Sequence, residues 1–317
     1  MMILDPLSRV QRDFTMRRSL CLFFALCLPT ILRAQPADDA WEVLYDGQTK
    51  ITLKDVRFTA GTRHLSWLVA ADKSGKSKTK NLGPEYLEFR EEKSTTFKDG
   101  IVTLIPVASL LRLEYEPDKK LVRAVVKQAG DKDLTLVGST KFTGINKFTL
   151  DGSATKTEVG VAGALQFKDG FMTVPIRGFA QSGAKPVEMP TGAKAVIEAQ
   201  DKEKTEHAVS GLMPLYRVGA GQKLASVLMF QKVGQIDVAK LVVLRQLPPA
   251  DKKQTISHDY EVTQAGGEKQ RLTLLEKTQL DDHQPAVLIG LVGRVAAGFK
   301  LFPPHTIAEV RFEGKKE

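Results

Sequence analysis

The side chains with the clearest capacity for chemistry are His258, Asp281, Asp282 and His283. Imidazole nitrogens and carboxylate oxygens brought together can hold a zinc or manganese ion that activates water for hydrolysis. Their spacing does not compel such a site. Adjacent residues on a strand point to opposite faces, so Asp282 and His283 converge only in a loop, and a solvated loop is the plainer reading. A second cluster is cationic: Lys73, Lys76, Lys78 and Lys80. The overlapping run Ala70-Ala71-Asp72-Lys73-Ser74-Gly75-Lys76-Ser77 satisfies a relaxed phosphate-loop pattern with alanine for the first glycine. That chemistry needs a helix starting at Ser77, and Lys78 to Pro84 is a basic turn instead. The segment therefore reads as a hairpin loop whose four lysines offer contact to a polyanion.

Other catalytic patterns fail on their own requirements. Val209-Ser210-Gly211 lacks the glycine two positions before the serine that a nucleophile elbow needs. Glu85, Glu88, Glu91 and Glu92 supply carboxylates, but a glycosidase pair is defined by a separation that only a fold can give. Gly219-Ala220-Gly221 is too short for a dinucleotide fingerprint. Trp41, Trp67, Tyr86, Phe89, Tyr115 and Phe312 read as core. No catalytic residue and no cofactor is assigned.

The compartment follows from residues 1–34. Met16-Arg17-Arg18 precedes an apolar run of 14 residues, Ser19 to Leu32, and Ala34 supplies a small residue after it. Fourteen residues fit a signal peptide better than a membrane span, which needs roughly 20. Export to the periplasm, cell envelope or exterior is expected. Cys21 and Cys27 lie within this segment, so the mature chain carries no thiol, no disulfide and no cysteine metal site. Losing residues 1–34 leaves 41 basic and 35 acidic side chains, a net charge of +6. That excess suits a soluble envelope protein, with an acidic polymer as the partner that charge alone would favour; export argues against nucleic acid.

The elements that must position these groups are strands. Short alternating runs are separated by Gly, Pro, Asp and Lys clusters, and long helical periodicity is scarce. In Lys50 to Phe58 the apolar positions are 51 and 53, then 56 and 58, so a bulge at Asp55 is needed to keep one buried face. Leu111 to Glu116 alternates apolar and charged, enters the turn Pro117-Asp118-Lys119-Lys120, and returns through Leu121 to Lys127 as a hairpin. Gln222 to Val233 is a buried strand or a short helix. Boundaries fall near 130 and 195, giving a first β module over 35–129, a middle segment over 130–195 and a C-terminal module over 196–317.

Two windows match at an offset of 197: Leu104-Ile105-Pro106-Val107-Ala108-Ser109-Leu110-Leu111-Arg112-Leu113-Glu114-Tyr115-Glu116 and Leu301-Phe302-Pro303-Pro304-His305-Thr306-Ile307-Ala308-Glu309-Val310-Arg311-Phe312-Glu313. Each reads as strand, Pro-initiated turn and second strand. A weaker echo joins Phe97-Lys98-Asp99-Gly100 to Phe167-Lys168-Asp169-Gly170, where Asp-Gly predicts a hairpin turn in both copies. Strand, Ile-Pro, short turn, strand resembles the closing strands of SH3-like or Sm-like small β-barrels of exported bacterial proteins. That resemblance implies a fold and transfers no function.

The expectation is a mainly β chain of two or three antiparallel modules, small barrels or a sandwich, following the signal peptide. Its expected role is a non-catalytic binding or structural protein of the cell envelope, with an acidic envelope polymer or an envelope protein as partner. The alternative is a metal-dependent hydrolase using the His/Asp cluster. If residues 85–127 and 285–317 fold alike, function is to be sought where they meet.

Overall fold

The computed structural model describes residues 41–44, 50–60, 62–65, 67, 85–91, 100–116, 118–130, 132–139, 149–156, 166–168, 171–175, 178–200, 203–249, 257–280 and 284–314. Asp39–Glu317 forms one compact unit. Its strands in the first half are β1 (Trp41–Leu44), β2 (Lys50–Ala60), β3 (Thr62–His64), β4 (Glu85–Phe89), β5 (Val102–Pro106), β6 (Leu110–Glu116), β7 (Leu121–Val126) and β8 (Leu134–Ser139). There follow β9 (Thr149–Lys156), β10 (Gln166–Lys168), β11 (Phe171–Pro175), β12 (Gly178–Gln181), β13 (Lys194–Ala199), β14 (Glu206–Val218), β15 (Gly221–Leu224) and β16 (Val227–Phe230). The last are β17 (Gly234–Asp237), β18 (Leu241–Gln246), β19 (Asp259–Gln264), β20 (Lys269–Thr273), β21 (Lys277–Gln279), β22 (Pro285–Val295), β23 (Gly298–Phe302) and β24 (Ile307–Phe312). The chain is mainly β, as expected, and no helix among the described residues is long and apolar enough to cross a membrane.

Every pairing is antiparallel. One sheet runs β10-β11-β9-β2-β1-β12-β6-β7-β8; a second runs β20-β19-β18-β24-β13-β14-β22-β23-β5-β4-β3, with β15 and β21 added beside β14 and β22; and β16 pairs with β17 as a two-stranded third. Among the described residues neither of the two large sheets closes on itself. The second sheet draws strands from residues 62–106 and from 194–312, so both ends of the chain share one hydrogen-bonded surface.

Local patterns explain local pairing. β2 and β9 change register between Lys54 and Arg57, where the apolar phase of β2 flips; the irregularity keeps Ile51 and Leu53 buried. β6 and β7 form the expected hairpin, and Val122, Ala124 and Val126 alternate inward along β7. Gln222 to Val233 resolves as strand, with Leu228 and Phe230 of β16 buried. β10 and β11 bracket Asp169-Gly170 in register Lys168↔Phe171, while the turn itself lies outside the described residues. Asp99 of the other Asp-Gly pair lies outside the described residues, and β4 and β5 on either side of that segment pair at Phe89↔Thr103.

Among the described residues a strand, a three-residue 3-10 turn and a strand recur three times: β5 to β6 through Val107–Ser109, β17 to β18 through Val238–Lys240, and β23 to β24 through Pro304–Thr306. In each, the last turn carbonyl accepts a backbone N–H from just beyond a neighbouring strand: Lys127 to Ser109, Ala265 to Lys240 and Gln200 to Thr306. These bonds satisfy a carbonyl that so short a helix leaves open.

The hydrophobic interior has two main bodies. One packs Tyr216, Phe230, Tyr260, Phe302, Ile307 and Val310; the other packs Trp41, Leu53, Leu87, Phe89, Ile105 and Leu113. Trp41 stacks on Phe179 at 4.6 Å, in keeping with the aromatics as core. Two smaller clusters, Leu65-Tyr86-Val102-Leu104 and Leu215-Val292-Leu301, both contact Trp67 and Phe299.

Candidate functional site

β5 and β23 are paired at Phe299↔Leu104, Lys300↔Thr103 and Leu301↔Val102. At the sequence offset of 197, Val102 corresponds to Phe299, Thr103 to Lys300 and Leu104 to Leu301. The register therefore maps onto itself about the Thr103-Lys300 pair. The windows that match in sequence are joined along their own first strands.

Strand alternation decides what this seam presents. Val102, Leu104, Phe299 and Leu301 face the small clusters around Trp67. On the opposite face Ile105 enters one main core and Phe302 the other, and Thr103 and Lys300 occupy the interval between them. A lysine there, with its side chain only 12% exposed, requires a counter-charge. Glu91 provides it. Just beyond β4, its backbone bridges to Gly138 of β8, and its Oε1 accepts from Lys300 Nζ at 2.8 Å and from Thr103 Oγ1 at 3.1 Å.

The same ammonium lies 3.4 Å from Nδ1 of His207, a β14 residue paired with Ile197 of β13. The imidazole packs 5.5 Å from the Phe302 ring. Glu91, Thr103, His207 and Lys300 line an open cleft of about 260 Å³ together with Leu134 and Leu136 of β8 and the β22-β23 turn at Val295 to Ala297. Gln128 donates to the Ala296 carbonyl at 3.0 Å and ties that turn to the residues after β7.

Burial on its own would raise the Glu91 carboxyl. The Lys300 charge, the hydrogen bonds from Lys300 and Thr103, and the His207 ring outweigh it and hold the group below its ordinary 4.5. Glu91 is thus an ionised hydrogen-bond acceptor and a weak base at neutral pH. At the cleft mouth Glu206 pairs with Arg311, which also meets Glu309 at 3.2 Å, and Glu309 pairs with Arg245. Ionic contacts therefore run from the cleft across β24 to β18.

Lys73, Lys76, Lys78 and Lys80 are outside the described residues, as are Asp281, Asp282 and His283. His258 is exposed, with Nδ1 3.6 Å from Glu276 Oε1. The neighbouring Asp259 carboxylate accepts from Thr273 and Arg271 at 2.7 and 2.8 Å, which holds it below its usual range. Among the described residues no three His, Cys, Asp or Glu side chains are placed to share a metal ion. Of the cleft's polar set, sequence reasoning met only Glu91, as one of four carboxylates; Thr103, His207 and Lys300 were missed. A signal existed: Lys300 stands between the apolar Phe299 and Leu301, just before the second matched window, where the offset of 197 sets it against Thr103. Comparison with protein-family models, with curated proteins and with solved structures finds no match to this chain.

Proposed function

We propose that this chain is an exported, non-catalytic binding or structural protein of the cell envelope. On this reading residues 1–34 are its signal peptide and its paired windows are duplicated SH3-like or Sm-like modules. Its partner is an acidic envelope polymer or an envelope protein. The observation that carries the reading is the state of the cleft where the windows meet. Its carboxylate is held ionised by Lys300 and Thr103, which suits hydrogen bonding and disfavours proton abstraction. No observation favours the metal-dependent alternative. Retention of envelope polysaccharide or envelope protein by the immobilised chain, weakened between low and moderate salt, is the expected result; an empty eluate at both salt concentrations would overturn the proposal.

A further inference from the structure

We infer that the cleft between Glu91, Thr103, His207 and Lys300 binds one neutral, hydroxyl-rich ring, a sugar residue. The inference rests on the binding-protein reading and adds to it a site for a neutral ring, distinct in chemistry from the acidic partner. At about 260 Å³ the cleft is smaller than the roughly 300–1,000 Å³ of sites for drug-sized ligands. One ring fits such a space.

The charge pattern selects the kind of ring. Lys300 and Glu91 neutralise each other across 2.8 Å. A ligand carboxylate would compete with Glu91 for the ammonium and leave a carboxylate poorly paired in a largely desolvated place. A ligand ammonium would strand Lys300 in the same way. A hydroxyl both accepts and donates, so its oxygen can accept a hydrogen bond from the Lys300 ammonium while its O–H donates one to the Glu91 carboxylate, and both charges stay hydrogen-bonded. The Thr103 hydroxyl, already bonded to Glu91, shows that this carboxylate accepts from a neutral O–H as well as from the ammonium. Leu134, Leu136 and Val295 add apolar lining to the cleft, against which the C–H face of a sugar ring leaves water.

Saturation-transfer NMR on the full chain tests the assignment. Glucose, N-acetylglucosamine and the N-acetylglucosamine trimer serve as neutral probes, with glucuronate and glucosamine as charged ones. Neutral probes are expected to receive saturation and the charged ones less. Ala208→Gln fills the cleft mouth from an exposed β14 position and leaves the ion pair intact; with an unchanged dichroism spectrum, it is expected to weaken binding about tenfold or more. Either order of monomer and trimer supports the class: a tighter trimer marks a glycan end as the source, and equal binding marks free sugar. Stronger binding of glucuronate or glucosamine, neutral binding unaffected by Ala208→Gln, or no transfer to any probe overturns it. If the envelope partner is retained while no sugar binds, the sugar site falls and the binding-protein reading stands. If sugars bind while the envelope eluates are empty, the site stands and that partner falls.

Discussion

Lys300 and Glu91 carry the sharpest consequences of any single side chains in the molecule. Lys300→Met takes the Lys300 ammonium away from the Glu91 carboxylate, which keeps its bond from Thr103. Fully buried pairs lose about 3–5 kcal/mol when one partner is removed; because the Glu91 side chain is 35% exposed, a loss of about 1–3 kcal/mol is expected in denaturant unfolding. Adding Glu91→Gln to Lys300→Met should recover much of that loss, since the stranded charge is then gone, and a double variant no better than the single would contradict the account. The pH dependence has a definite sign. The folded Glu91 carboxyl lies below its ordinary 4.5, so the folded state binds its proton less readily than the unfolded chain does. Its contribution to stability is present above about pH 4.5 and is lost as pH falls through the folded value. Stability measured from pH 6 downward should accordingly decline less steeply in Glu91→Gln than in the wild type.

Turns and close strand approaches govern the next scale. Gly298 opens β23 with φ +129°, and a Cβ there would stand 2.4 Å from the Leu104 carbonyl and 2.8 Å from Pro106 Cδ. Both the backbone conformation and the contact with β5 exclude a side chain. Gly298→Ala should cost about 2–4 kcal/mol, whereas Gly314→Ala, at φ +76° with nothing within 4 Å, should cost only about 1 kcal/mol of backbone strain. Equal midpoints in chemical denaturation would refute the steric argument. The three 3-10 turns differ at their first position. Pro106 and Pro303 preset φ near −60° without a side-chain bond, while Asp237 accepts from the Ala239 N–H at 2.8 Å. Asp237→Ala should lower stability by about 0.5–1 kcal/mol, measurable as a small drop in Tm.

At the scale of the whole molecule, the pairing of β5 with β23 ties residues 62–106 to residues 194–312 in one sheet. Such long-range pairing makes folding slow and unfolding cooperative. Calorimetry of the chain should show one transition over the described unit, shifted as a whole by Gly298→Ala; two resolved transitions of which the substitution moves one would contradict it. Alternation, turn residues and the phase flip at Asp55 made the strands legible in the sequence, because each records a local choice between two faces of a pleat. The Pro-initiated turns at Pro106 and Pro303 were legible for the same reason. The cleft was not. Glu91 and Lys300 are 209 positions apart, and His207 lies between them in sequence with no local pattern linking the three. Which strands become neighbours depends on summed burial across two cores and on backbone pairing over the whole sheet. The residue types at the seam follow from the sequence, and their meeting is decided only by the tertiary fold.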